Sequence, residues 1–268
     1  MPADPMPADP TFENLRLERT SAVATVTLDR PKALNALDAA TLRELLAVAG
    51  VLASDPDVRA LVLTGTGKAF SAGADIGAMA DMAPGDGYGY ARLGHEVMTR
   101  IEGLEMPVIA AVNGVALGGG LELALACDLI IASDRARLGQ PEVNLGLVPG
   151  FGGTQRLVRR IGQARARELI YLGHAVNAEE ALRLGLVCRV VASEGLAAEA
   201  AQLAADLAAK APVALRQAKR ATAVAADADI QVGCHYEVEA FAITFATDDR
   251  VEGLRAFLEK RPPAWKGR

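Results

Sequence analysis

Apolar and β-branched residues occur in short runs through the first half of the chain, and each run predicts a strand. Residues 12–29 predict a pair of strands, the second built on the β-branched run 22–28 and ended by Pro31. Further strands are predicted at 59–64, 108–112 and 128–132, and helical spacing predicts helices at 38–53, 90–102 and 120–126. This alternation indicates buried parallel strands joined by crossover helices, an α/β fold.

Beyond Phe151 the pattern changes to segments rich in Ala, Leu, Arg and Glu, with helical spacing and few strand formers. These segments predict helices at 164–172, 178–184, 194–209, 212–225 and 230–246. The last helix carries a wide apolar face, which includes Val232, Tyr236, Val238, Phe241 and Phe245. A face of this width is expected to pack on the core or on another subunit.

Composition and charge narrow the possible classes of protein. The 268 residues are 51% hydrophobic, enough for one large domain or for a core with an appended lobe. The net charge of −5 argues against a nucleic-acid partner. No apolar run has the length of a membrane span, and the opening residues lack the basic and apolar regions of a signal peptide, so a cytoplasmic location without membrane contact is expected. Residues 1–10, which twice read Met-Pro-Ala-Asp-Pro, are predicted to be disordered.

The cysteines and histidines offer little chemistry. The cysteines are odd in number, widely spaced and set among apolar neighbours, so Cys127, Cys188 and Cys234 are predicted to be reduced, buried thiols. No spacing among the histidines suggests a metal site or a catalytic triad, and a structural or surface role is expected for His95, His174 and His235. No metal is predicted.

Two glycine-containing turns and two glutamates are the candidates for catalysis. Residues 67–76 form a small-residue turn after a predicted strand, and Gly118-Gly119-Gly120 opens the helix that carries Glu122. Backbone amides at two such turns could hold an oxyanion, while Glu122 and Glu142 could move protons beside it. Taken singly, each feature is more often structural. A nucleotide-binding loop is disfavoured, because the glycines from Gly65 to Gly73 match neither Gly-Lys-Ser/Thr nor GxGxxG opening a helix.

These residues together resemble the enoyl-CoA hydratase/isomerase family, also called the crotonase family. The resemblance runs from about Phe12 to the C-terminus and rests on segments 30–37, 69–76, 110–123 and 139–155, with a further match at 245–261. It implies a crotonase-like spiral of ββα turns at 11–200 and a helical C-terminal trimerisation region at 201–268. It also implies a homotrimer or a dimer of trimers.

The resemblance also implies roles for particular residues. The backbone amides of Ala74 and Gly119 would form the oxyanion hole for a thioester carbonyl, and the amide of Gly150 would help to hold a water molecule. Glu122 would activate that water and Glu142 would protonate C2, although a shared pair cannot be partitioned from sequence. Keeping both glutamates favours hydration of an enoyl-CoA, the reaction of fatty-acid β-oxidation.

The substrate of such an enzyme is an acyl-CoA thioester, so coenzyme A is part of the substrate and no separate cofactor is expected. By the same resemblance, coenzyme A and the acyl group would be bound by Lys32, Ala33, Leu34, Ala72, Asp75, Ile76, Phe257 and Lys260. The last two would reach it from a neighbouring subunit. Gly77 departs from the basic or polar residue often found there in the family, which puts one side-chain contact to coenzyme A in doubt.

Residues 79–90 contain several helix breakers and are expected to form a mobile loop that borders the acyl pocket and sets chain-length preference. Alternatives remain open within the family: an enoyl-CoA isomerase, or a homologue acting on ring compounds in aromatic catabolism. A noncatalytic protein of this fold that binds RNA or a partner is a further alternative. The negative net charge of the chain and the presence of both Glu122 and Glu142 argue against a noncatalytic binding protein.

Overall fold

Two sheets organise the fold. The computed structural model describes residues 10–268, so the predicted disorder of the first residues falls outside the described part except at Pro10. In chain order the strands are β1 (Leu15–Thr20), β2 (Val23–Leu28), β3 (Ala60–Gly65), β4 (Ala69–Ser71), β5 (Val108–Val112), β6 (Val115–Leu117), β7 (Leu129–Ser133), β8 (Arg137–Gly139), β9 (Ala175–Asn177) and β10 (Arg189–Val191).

The larger sheet has the order β1-β2-β3-β5-β7-β10, and the smaller one has the order β4-β6-β8-β9. Strands β1 and β2 form the antiparallel pair predicted from the sequence, and β2, β3, β5, β7 and β10 are parallel. The short strands β4, β6 and β8 follow β3, β5 and β7 along the chain, so each long strand continues into a short strand of the second sheet. The turns that follow β3, β5 and β7 therefore lie along the same edge of the larger sheet, at the carboxyl ends of its parallel strands.

Helices cover the sheets. They are α1 (Ala39–Ala53), α2 (Ile76–Met79), α3 (Pro84–Glu102), α4 (Gly119–Leu125), α5 (Gly153–Ile161), α6 (Gln163–Leu172), α7 (Ala178–Arg183), α8 (Leu196–Ala208), α9 (Pro212–Val224), α10 (Ile230–Phe245) and α11 (Asp248–Leu258). Asp38 caps α1 as predicted, since its Oδ1 accepts from Thr41 N at 2.7 Å. Helix α8 packs its alanines on the larger sheet, with Ala204 fully buried, and spans the predicted boundary at residue 200.

The loop predicted at 79–90 is wrong from Pro84 onward, where α3 begins. Pro84 occupies the first helical position, where its missing N–H costs nothing, and the Asp86 carboxylate accepts from Ala83 N at 3.1 Å. The glycines weaken this turn locally, but burial of Tyr90 and of Val97 further along the same helix offsets that cost. Tertiary packing therefore overrides the glycine-rich composition.

The predicted burial of the cysteines needs correction. Cys127 is buried as predicted, whereas Cys188 and Cys234 are exposed, because apolar neighbours in sequence do not determine which face of an element is covered. The apolar face of α10 was expected to pack on the core or on another subunit, and the single chain leaves it uncovered, with Val238 and Phe241 each 65% exposed. No helix within residues 10–268 is long and apolar enough to cross a membrane.

Candidate active site

The turn after β4 presents a backbone amide without an acceptor. Gly73 has a φ of +100°, and a Cβ there would lie 2.6 Å from Leu117 O, so only glycine fits this turn. Leu37 fixes both sides of the turn, since its N–H donates to Gly73 O at 2.8 Å and its carbonyl accepts from Asp75 N at 3.3 Å. No oxygen within residues 10–268 accepts from the intervening Ala74 N–H.

A second turn, at the start of α4, faces the first. Gly118 has a φ of +50°, and its N–H donates to Gly139 O at 2.9 Å. Gly119 is the first residue of α4, and its N–H also has no acceptor in the described part of the chain. A Cβ at Gly119 would lie 3.4 Å from Ala74 N, so the two turns are in contact. The structure therefore brings together the amides of Ala74 and Gly119, the two that the family resemblance implies for an oxyanion hole.

Glu122 lies behind these amides, one turn along α4. Its side chain is 1% exposed, and its Oε1 accepts from Phe151 N at 2.8 Å and from Gly153 N at 2.6 Å. Burial raises the pKa of Glu122 from 4.5 to about 6, while these amides and the charge of Arg156 oppose the rise. Glu122 can thus be ionised near neutral pH although it is buried.

Glu142 is the first residue of a 3₁₀ helix that follows β8, and its side chain lies next to the turn at Gly118. A Cβ at Gly118 would lie 2.9 Å from its Oε1, which places this carboxyl group directly against the turn. Burial raises the pKa of Glu142 to about 7, and the nearby charge of Glu122 adds to the rise. Both pKa values are therefore raised toward neutral pH, so the pair can hold one ionised and one protonated carboxyl group, a base and an acid.

The fully buried side chain of Gln140 was not identified as a site residue from the sequence. With its amide nitrogen turned toward Glu142, it donates to Oε1 at 2.8 Å and to Oε2 at 3.0 Å. A Cβ at Gly153 would lie 3.0 Å from both its Cδ and Glu122 Oε1. Gln140 therefore lies between the two carboxyl groups. The only indication of this role in the sequence is that Gln140 lies two residues before Glu142.

Some of the residues predicted to bind substrate or water lie beside the two turns, and others do not. Leu34 O accepts from Ala72 N at 2.9 Å, which joins the stretch of Lys32, Ala33 and Leu34 to the turn at Ala74. Asp75 caps α2, whose first residue Ile76 is 50% exposed beside this turn. Gly150 directly precedes Phe151, and its N–H finds no acceptor in the described chain.

Phe257 and Lys260 are not brought to this site by the single chain. Phe257, near the end of α11, is 81% exposed, and Lys260 follows the helix. No hydrogen bond or ion pair between residues 10 and 268 connects either residue to the glutamates or the two turns. Within the same residues, no group of three or more His, Cys, Asp or Glu side chains could hold a metal ion.

The fold and the paired turns define a member of the enoyl-CoA hydratase/isomerase family. The model of that family matches residues 18–268, so the chain belongs to it. A short-chain-enoyl-CoA hydratase of Clostridium acetobutylicum is 48% identical over 251 residues, covering 93% of this chain and 96% of the relative. A crotonyl-CoA hydratase of Syntrophomonas wolfei is 45% identical over the same length, covering 93% and 96%.

Solved structures confirm the predicted fold class. The crystal structure of an enoyl-CoA hydratase from Bacillus anthracis superimposes with a TM-score of 0.94 at 41% identity, covering 96% of this chain and 100% of the other. Pseudomonas aeruginosa DspI superimposes with a TM-score of 0.93 at 38% identity, covering 98% and 100%. The crotonase-like spiral with C-terminal helices is therefore the fold of this chain.

Proposed function

We propose that this protein is an enoyl-CoA hydratase, which adds water reversibly across the C2=C3 bond of a 2-enoyl-CoA to give a 3-hydroxyacyl-CoA. One observation carries the proposal: the buried carboxyl group of Glu122 and the half-buried carboxyl group of Glu142 lie beside a pair of backbone amides that lack acceptors. The hydratase names of the similar proteins support the same reaction. No cofactor is needed, because water, substrate and the two carboxyl groups supply every atom that moves.

In the proposed reaction the thioester oxygen accepts from Ala74 N–H and Gly119 N–H. Both donors are fixed before substrate arrives, so they stabilise the negative charge that develops on this oxygen without reorganising. Polarisation of the carbonyl makes C3 electrophilic. The oxyanion hole therefore prepares the bond that water attacks.

Glu122 then removes a proton from water as the oxygen bonds to C3, and the π electrons move toward the thioester oxygen. Glu142 donates its proton to C2 of the resulting enolate, which closes the new C–H bond. Glu122 ends protonated and Glu142 ionised, so one proton must pass from Glu122 to Glu142 before the next turnover. Gly150 N–H is proposed to help hold the attacking water, since it lies one residue before the Phe151 amide that binds Glu122.

The coenzyme A portion is proposed to lie along the segment of Lys32, Ala33 and Leu34, which is hydrogen-bonded to the oxyanion turn. We propose that a neighbouring subunit contributes Phe257 and Lys260, which the single chain leaves exposed. The exposed apolar face of α10 supports a homotrimer or a dimer of trimers, because a face of this kind is stabilised by burial in a contact between subunits. The proposed setting is fatty-acid β-oxidation in the cytoplasm.

Loss of the conjugated enoyl thioester absorbance of crotonyl-CoA and of a longer 2-enoyl-CoA tests the proposal. Wild type is expected to consume at least one of them, and Glu122→Gln and Glu142→Gln are each expected to lose activity by at least about 10²-fold. Glu96→Gln, the same change at an exposed position of α3, is the matched control and should retain activity. Wild type that consumes neither thioester, or glutamine variants as active as the control, would overturn the proposal.

A further inference from the structure

Tyr90 contacts both halves of the site, although no proposed chemical step uses it. It lies on α3, is 7% exposed, and its hydroxyl donates to Leu37 O. Leu37 O also accepts from Asp75 N at 3.3 Å, and Leu37 N donates to Gly73 O at 2.8 Å. The Tyr90 hydroxyl therefore braces the residue that holds both sides of Ala74.

The ring of Tyr90 reaches the other half of the site. It meets the ring of Phe151 edge to face, with 5.3 Å between centroids and an angle of 69°. Phe151 N donates to Glu122 Oε1 at 2.8 Å, and a Cβ at Gly119 would lie 3.0 Å from the Phe151 ring. Through this ring, Tyr90 supports one donor of Glu122 and the start of α4.

The surroundings of the Tyr90 hydroxyl keep it a hydrogen-bond donor. Burial raises the pKa of Tyr90, so the hydroxyl stays protonated and remains a donor at neutral pH. Leu37 O keeps Asp75 N as a donor when the tyrosine hydroxyl is removed, so its loss does not leave a buried carbonyl without a partner. Its removal is therefore expected to loosen the turn without unfolding the chain.

We infer that Tyr90 is a positioning residue that sets the oxyanion amide of Ala74 relative to the carboxylate of Glu122. The inference rests on the proposed function, since it concerns the geometry of that reaction. A displaced oxyanion donor affects the transition state more than the bound substrate, because the charge on the thioester oxygen grows as water attacks. The consequence should appear in kcat rather than in KM.

Tyr90→Phe tests this inference, because it removes the hydroxyl and keeps the ring against Phe151. We expect kcat to fall by about 10-fold to 10²-fold, with KM within about twofold of wild type. The pH dependence should stay unchanged, since the donors of Glu122 are retained. Tyr88→Phe, on the same helix and 69% exposed, is the matched control and should behave as wild type.

A measurement without turnover separates this inference from the proposed function. Butyryl-CoA labelled with ¹³C at the thioester carbonyl cannot be hydrated, and its carbonyl stretch should move to lower frequency when bound in the oxyanion hole. Tyr90→Phe should show a smaller shift than wild type and Tyr88→Phe. If wild type binds butyryl-CoA but hydrates no enoyl-CoA, the proposed hydratase function fails while this comparison still tests Tyr90.

Phe151→Leu provides a second test, which also serves if Tyr90→Phe does not fold. It removes the ring contact and keeps the tyrosine hydroxyl, so we expect a displaced acidic limb in the pH profile and a smaller carbonyl shift. A purely structural role for Tyr90 would lower the melting temperature of Tyr90→Phe while leaving kcat and the carbonyl shift as in wild type. That result, or a Phe151→Leu variant unchanged in both readouts, would overturn the inference.

Discussion

Burial of the Glu122 carboxylate should destabilise the folded protein near neutral pH, and Glu122→Gln should remove this cost. The folded pKa is about 6 against an ordinary value of 4.5, so the folded chain binds more protons than the unfolded chain between these values. Stability is therefore lost as pH rises through this window. Glutamine retains an acceptor for Phe151 N and Gly153 N, so the substitution removes mainly the charge.

The magnitude follows from the difference between the two pKa values. At about 1.4 kcal/mol per pKa unit, the ionised carboxylate costs the folded state about 2 kcal/mol at pH 7 and about 1 kcal/mol at pH 5. Glu122→Gln should therefore gain about 1 kcal/mol of unfolding free energy relative to wild type between pH 5 and pH 7. Removing the charge of Glu122 also relieves its repulsion with Glu142, which further stabilises the variant relative to wild type.

Urea unfolding of wild type and Glu122→Gln at both pH values measures this change. Protein concentration is held equal, because unfolding of an oligomer depends on it. Glu96→Gln, exposed on α3, corrects for the general effect of removing one negative charge. A difference in unfolding free energy that does not change with pH, or one that favours wild type at pH 7, would refute the assignment of a raised pKa to Glu122.

Three further predictions address the acid–base pair, the turn and the assembly. The profile of kcat/KM against pH should be bell-shaped. It should rise through about pH 6 as Glu122 ionises and fall above about pH 7 as Glu142 loses its proton. A flat profile from pH 5 to 8 would contradict this prediction. Gly118→Ala should lose activity by at least about 10²-fold, because its Cβ would displace Glu142. Gly162→Ala, also at positive φ but in open space, should keep its activity and lose about 1–3 kcal/mol of stability. Equal activities of the two variants at equal folded fraction would be the contrary result. Phe241→Glu on α10 should reduce the molar mass measured by light scattering toward that of a single chain, and an unchanged mass would argue against this face as the subunit contact.

The sequence predicted those parts of the molecule that local patterns determine. Helix α1 begins after Asp38 as its capping residue indicated, and the strands predicted at 59–64 and 108–112 form the parallel pair β3 and β5. The glycines before Glu122 open α4 because a tight turn and a free helix N-terminus are both local properties.

Features that depend on distant contacts were not accessible in this way. Helix α3 begins among glycines, because residues further along it pack against the core. Tyr90 bonds to Leu37, and Phe151 to Glu122, across long stretches of sequence, so no local pattern reveals either contact. Gln140 is a neutral side chain whose importance depends on the carboxyl group that it faces.

The central claim is that this site adds water across an enoyl thioester using both glutamates. NMR analysis of the product formed from crotonyl-CoA in D₂O tests it most directly, with Glu122→Gln and Glu142→Gln as comparisons. The account predicts 3-hydroxybutyryl-CoA with one deuteron at C2 from wild type, and almost none from either variant. A product that retains a carbon–carbon double bond at a shifted position and carries no hydroxyl at C3 would instead establish isomerisation and contradict the proposed function.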